Sequence, residues 1–144
     1  MKKCRDIMTR DLVTATPEDP IIQVAQLMKK EDIGPVLIVD NDDSRTLVGI
    51  VTDRDIVLKV IAEGMDPQST RVGDVMSKKL VTCRADDDVD VAMKAMAQFQ
   101  LRRIPVVDDN MKLVGIISQA DVATQVDAPK KTAEVVKEIS EEKA

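Results

Sequence analysis

A chain of 144 residues with 44% apolar side chains fits one compact domain, or two small repeats sharing a core, and is too apolar for a disordered segment. Its 21 basic and 26 acidic side chains leave a net charge of −5, which disfavours a nucleic-acid partner, and its one aromatic residue, Phe99, leaves almost nothing on which bases could stack. There is no histidine, which removes histidine-activated nucleophiles, the histidine general base and imidazole metal ligation together.

The opening Met1-Lys2-Lys3-Cys4-Arg5 is basic, but no apolar signal segment follows it. The apolar runs Val36–Val39 and Leu47–Val51 are far too short to cross a bilayer, so a soluble cytoplasmic protein without a membrane partner is expected. Cys4 and Cys83 lack Cys-x-x-Cys spacing; the sequence leaves a disulfide open, but reduced thiols suit that compartment better.

Asp6-Ile7-Met8-Thr9 is followed by Leu12-Val13-Thr14, which reads as a short lead strand. Asp19 and Pro20 read as N-cap and first position of a helix. Its Ile21, Val24, Ala25 and Met28 recur at the spacing of one buried face. Val36-Leu37-Ile38-Val39 and Leu47-Val48-Gly49-Ile50-Val51 read as adjacent strands. The acidic run between them, Asp40-Asn41-Asp42-Asp43-Ser44, reads as a hairpin turn. A calcium loop begun at Asp40 would need glycine sixth and glutamate twelfth, where Arg45 and Val51 stand. A second helix begins near Asp53 and carries Ile56, Val57, Val60 and Ile61, and residues 65–73, with Pro67 and Gly73, read as a linker.

The whole pattern then returns. Asp74-Val75-Met76-Ser77 repeats Asp6-Ile7-Met8-Thr9 at an offset of 68 residues, and Leu80-Val81-Thr82 repeats the lead strand. Val89, Ala92, Met93 and Met96 repeat the helical stripe, read as core packing, with Asp87-Asp88 available as its cap. Ile104-Pro105-Val106-Val107 and Leu113-Val114-Gly115-Ile116-Ile117-Ser118 repeat the strands, the second at an offset of 66, and a helix from Gln119 carries Val122, Ala123 and Val126. Cys83 falls where the first copy has Ala15 and reads as a small buried residue. The expected domains are repeat 1 over 1–64, the linker over 65–73, repeat 2 over 74–126 and a charged tail or helix over 127–144.

Each repeat ends its last strand in the same corner, Gly49-Ile50-Val51-Thr52-Asp53-Arg54-Asp55 and Gly115-Ile116-Ile117-Ser118-Gln119-Ala120-Asp121. Thr52 with Asp55, and Ser118 with Asp121, have the spacing of a capping box, which satisfies the orphan amides of a helix start. The same groups can serve a ligand. Free amides and a hydroxyl attract phosphate, a carboxylate accepts from a ribose diol, and the glycine admits another group close to the strand.

The order Asp-x-Met-Thr/Ser, amphipathic helix, Leu101-Arg102-Arg103-Ile104-Pro105-Val106-Val107-Asp108, then Gly-Ile-x-Thr/Ser-x-x-Asp resembles the CBS domain, and the pair over about residues 4–125 resembles a Bateman module. The resemblance implies an α+β fold of tandem CBS repeats, each a small mixed sheet with two helices on one face, related by pseudo-two-fold symmetry. It also implies two adenosine-nucleotide clefts between the repeats. One would use Arg102, Arg103, Ile116, Ser118 and Asp121, with Met8, Val13, Ile33 and Gly34 as its adenine wall. The other would use Ile50, Thr52, Arg54 and Asp55 against Met76, Val81 and Leu101.

The copies differ where the second has Arg102-Arg103 and the first has Gly34-Pro35, because Pro35 offers neither charge nor amide donor. The Arg102-Arg103 cleft is therefore expected to take the more phosphorylated ligand, with Arg54 a partial substitute in the other. The resulting expectation is a regulatory module for AMP, ADP, ATP or S-adenosylmethionine, homodimeric through its helices, with no enzymatic activity, no metal and no obligatory cofactor beyond that ligand, acting on an unidentified regulated protein. A ligand-free dimerisation module is the alternative; in it the corner residues are caps alone.

Overall fold

The computed structural model describes residues 2–125, so Val126 and the tail expected over 127–144 lie outside the described residues. The described chain forms two compact units. One is Val13–Leu80, the first-sheet unit; the other joins residues 2–12 to residues 81–125, the second-sheet unit. Sequence repeats and compact units are not coextensive, because the opening segment of the chain packs with the sheet of the second repeat.

In the first-sheet unit, β1 (Thr14–Ala15) pairs parallel with β2 (Val36–Val39), which pairs antiparallel with β3 (Leu47–Val51). Helix α2 (Ile21–Glu31) and the helix begun by α3 (Asp53–Ile56) pack on one face of this mixed sheet. Ile21 and Val24 of α2 and Val60 beyond α3 share a core with Val36, Ile38 and Val51. Each such burial contributes about 1.5–3 kcal/mol. Beyond α3 the chain winds as a π-helix over Val57–Ile61. There Ile56 and Val60 face the core while the neighbouring stripe of Val57, Leu58 and Ile61 stays exposed, Ile61 by 60%.

The 65–73 stretch read as a linker is built into this unit. Its carbonyls at Pro67 and Thr70 accept from Ile22 N–H (2.9 Å) and Ile21 N–H (2.8 Å), and its Val72 N–H donates to Asp19 C=O at 2.9 Å. Val72 is buried in the core. These bonds satisfy the orphan amides at the start of α2, which explains a departure from the expected cap. Pro20, not Asp19, is the N-cap, and the Asp19 carboxylate instead accepts from Thr16 N–H at 2.9 Å.

The second-sheet unit repeats the plan with β4 (Cys83–Arg84), β5 (Arg103–Val107) and β6 (Leu113–Ser118) in a three-stranded mixed sheet. Helices α4 (Val89–Phe99) and α5 (Gln119–Gln125) supply Val89, Ala92, Met93, Met96 and Val122 to a core with Ile104, Val106 and Ile117. Asp88 sits at the N-cap of α4 without a side-chain cap bond: its carboxylate is held by Lys3 Nζ at 2.9 Å, and that of Asp87 accepts from Arg84 N–H at 2.8 Å. Pro105 is tolerated in the central strand because its β6 partner Ile116 turns both backbone groups to Thr9, so no β5–β6 bond is lost there.

The acidic 40–44 run is a turn organised by its first residue. Asp40 Oδ1 accepts from Ser44 Oγ at 2.6 Å, Asn41 N at 2.8 Å and Thr46 N at 2.9 Å. The Ser44 bond leads these in holding the Asp40 carboxyl below its ordinary pKa of 3.8. A depressed folded-state pKa stabilises fully above the unfolded value and loses its effect as the pH falls through the folded one. Asp40→Asn is therefore expected to lower Tm at pH 7, by an amount that shrinks as the pH is brought down below 3.8, as thermal melts across that range would show.

Candidate functional site

The site is built at the strand-to-helix corners. In the first-sheet unit, Thr52 has extended backbone and caps α3: its Oγ1 accepts from Asp55 N–H at 3.2 Å, and Asp55 Oδ2 accepts from Thr52 N–H at 2.9 Å. In the second-sheet unit, Ser118 Oγ accepts from Asp121 N–H at 3.1 Å and Asp121 Oδ2 from Ser118 N–H at 2.9 Å. Both capping boxes are formed as the spacing requires.

Beyond the caps the corners differ. Asp55 is almost fully engaged: Thr52 Oγ1 also donates to its Oδ2 at 3.1 Å, and Lys59 Nζ lies 3.2 Å from its Oδ1. Lys59 Nζ donates as well to Val75 C=O at 3.1 Å, so one ammonium ties the corner to the 72–77 segment, and the Asp55 side chain is only 18% exposed. Asp121 has Gln125 in the place of Lys59. Among the described residues its Oδ1 and the Ser118 hydroxyl proton have no partner.

The groups beside the corners differ in sign. Arg103 pairs across the strands with Ser118, and Gln119 N–H donates to Arg102 C=O at 2.9 Å. Both arginines are exposed, and among the described residues neither is ion-paired. At the matching place in the first-sheet unit Pro35 cannot extend β2 by a donor, and the Asp53 carboxylate lies beside Gly34, with Oδ1 3.5 Å from where a Cβ would stand. Arg54 is exposed on the first turn.

The corner glycines admit the unit's own lead segment. A Cβ on Gly115 would stand 2.5 Å from Met8 Sδ, and one on Gly49 2.6 Å from Met76 Sδ. The adjoining residues bridge the strand edges: Thr9 N–H donates to Ile116 C=O at 2.9 Å, and Ile50 N–H to Ser77 C=O at 3.0 Å. Met8, Arg102, Arg103, Ile116, Ser118 and Asp121 thus gather in one unit, and Ile50, Thr52, Arg54, Asp55 and Met76 in the other. Val13, Ile33 and Gly34 belong to the first-sheet unit, where Ile33 packs on the core; Val81 and Leu101 pack on the core of the second-sheet unit. One residue escaped the sequence reading. Gln119 Nε2 is buried and, among the described residues, without a hydrogen-bond partner. Its alignment with the charged Asp53 was the available signal.

A family model described as CBS domain matches residues 4–62 and 72–127. Among curated proteins the chain is 37% identical to uncharacterized protein MK0525 of Methanopyrus kandleri, over 81% of this chain and 59% of that protein. It is 40% identical to uncharacterized protein YlbB of Bacillus subtilis, over 98% of this chain and 93% of that one. Among solved structures, the CBS domain pair of protein MJ0100 in complex with 5'-methylthioadenosine and S-adenosyl-L-methionine is 28% identical, with a TM-score of 0.69 over 85% of this chain and 94% of that one.

Proposed function

Because this chain belongs to the CBS-domain family, we propose that it is a regulatory module that binds an adenosine compound at its strand-to-helix corners and performs no reaction of its own. The observation that carries the reading is the corner of the second-sheet unit. Among the described residues Asp121 Oδ1 and the Ser118 hydroxyl proton are left over from the capping box, and two arginines without an ion pair and the Gln119 amide without a partner stand on the same corner and the strand entrance beside it. A ribose diol suits the carboxylate, and phosphate oxygens suit the hydroxyl and guanidinium donors. Met8 and Ile116 offer the base an apolar surface. The MJ0100 pair, crystallised with two adenosine compounds, supports the ligand class.

The corners are unequal in this reading. The second-sheet corner takes the phosphorylated ligand, AMP, ADP or ATP. The first-sheet corner, with Asp53 beside Gly34 and Asp55 held by Lys59, takes an uncharged or cationic adenosine compound such as S-adenosylmethionine, or none. Thermal melts with AMP, ADP, ATP, 5'-methylthioadenosine and S-adenosylmethionine test this. A ligand at a hundredfold excess over its Kd raises stability by about 2.7 kcal/mol. No shift with any of the five would overturn the nucleotide reading.

A second reading has its own observation. Val57, Leu58 and Ile61 form an exposed apolar stripe on the helix following the Asp55 corner, a surface suited to a second copy of the chain. A chain that light scattering finds dimeric, and that no ligand in the panel stabilises, is a dimerisation scaffold whose corner residues are caps.

A further inference from the structure

Cys4 opens helix α1 (Cys4–Ile7), and Cys83 opens β4, 79 positions further along the chain. Both are free, both are buried, and both belong to the core of the second-sheet unit. The two stretches are laced together by backbone: Cys4 N–H donates to Asp87 C=O at 2.9 Å, Arg5 N–H to Ala85 C=O at 3.0 Å, and Lys3 bridges to Asp88. Within this lacing the Cys4 thiol donates to Asp88 C=O at 3.8 Å and the Cys83 thiol to Pro105 C=O at 3.9 Å. The neighbouring thiols also act on each other, which lowers the Cys4 pKa from its ordinary 9.0, raises that of Cys83, and makes Cys4 the thiolate former of the pair. Core packing does not demand either sulfur, since the first repeat has Ala15 at the place of Cys83 and Val72 at the place of Cys4, both buried in its core.

We propose that Cys4 and Cys83 form a reversible intramolecular disulfide, a redox clamp that fastens the lead segment to the second sheet. The oxidant is a small hydroperoxide. The Cys4 thiolate takes the terminal hydroxyl of the peroxide, forming a sulfenic acid and releasing an alcohol, or water from hydrogen peroxide. The Cys83 sulfur then displaces the sulfenic hydroxyl, which leaves as water with the Cys83 proton. The pair loses two electrons and two protons, and a small dithiol restores it by exchange. Access comes through opening of the four-residue α1, a local event in a short element. The clamp acts on the corner because α1 runs directly into Met8, against Gly115, and Thr9, paired with Ile116. Any effect on ligand binding rests on the function proposed above; the bond itself does not.

The test treats the whole chain, without ligand, with hydrogen peroxide, then unfolds it in an alkylating reagent and reads intact mass and peptide map. Expected are a monomeric chain lighter by two hydrogens, a Cys4–Cys83 linked peptide, no alkyl label, and a Tm above that of the reduced chain that dithiothreitol reverses. Cys4→Ala should take one label, Cys83→Ala should carry added oxygen on Cys4 in place of a label, and neither should show the Tm gain; Cys83→Ala copies the residue of the first repeat and so keeps the fold testable. Two alkylatable thiols after peroxide, a linkage between chains in place of the internal one, or a disulfide that leaves Tm unchanged would each overturn the clamp.

Discussion

Asp121→Ala is expected to weaken AMP binding about ten- to a hundredfold, while Asp55→Ala leaves it nearly unchanged. A hydrogen bond to a charged group is worth about 1.5–3 kcal/mol, and among the described residues Asp121 Oδ1 is open to accept one, whereas the Asp55 oxygens are held by Thr52 and Lys59. Both variants also break a capping box, a shared loss of about 0.5–2 kcal/mol, to which Asp55→Ala adds its contacts with Lys59 and the Thr52 hydroxyl. Binding and folding are thereby separated: calorimetry with AMP reports the difference, and denaturant melts report the shared loss. Asp121→Asn, which keeps an acceptor for Ser118 N–H, should retain most of the stability and still lose affinity. Equal affinity losses at the two positions would refute the inequality of the corners.

Gly115→Ala is expected to destabilise the protein by about 1–3 kcal/mol, the usual penalty for adding a carbon to a filled site. The new Cβ would stand 2.5 Å from Met8 Sδ and 2.7 Å from its Cγ, so the methionine must leave its place. In a Met8→Ala background, which removes Sδ and Cγ and keeps a Cβ 3.0 Å from the new atom, the same change should be milder, and a double-mutant cycle from urea melts would show coupling between the two positions. Gly49→Ala should likewise be rescued only in part by Met76→Ala, because the Ser77 carbonyl oxygen also lies 3.1 Å from the new atom and backbone does not step aside. A Gly115→Ala protein as stable as the parent, or one whose loss Met8→Ala does not relieve, would show that the lead segment does not cover that strand.

The parts of the site that could be read from residues are those made by near neighbours in sequence. The capping boxes join positions three apart, so Thr52 with Asp55 and Ser118 with Asp121 were legible as pairs. Helix caps misled where a distant segment intervened: at α2 the carbonyls of Pro67 and Thr70 take the amides that Asp19 was expected to serve. Lys59 was visible as a residue but not as a partner, since its second bond, to Val75, crosses 16 positions. The buried amide of Gln119 had no sequence signature beyond its mismatch with Asp53.

By itself the sequence determined two copies of one mixed-sheet unit, the helical stripes that fill each core, and a hydroxyl–carboxylate pair at each strand end, because period and short-range spacing encode these directly. Only the tertiary structure decided which lead segment closes which sheet. Asp6-Ile7-Met8-Thr9 and Asp74-Val75-Met76-Ser77 carry nearly the same pattern, and Gly49 and Gly115 offer nearly the same slot, so local preference is degenerate between the two pairings. Chain reach and the packing of distant residues break that degeneracy, placing Met8 on Gly115 and Cys4 in one core with Cys83, and both are properties of the folded chain.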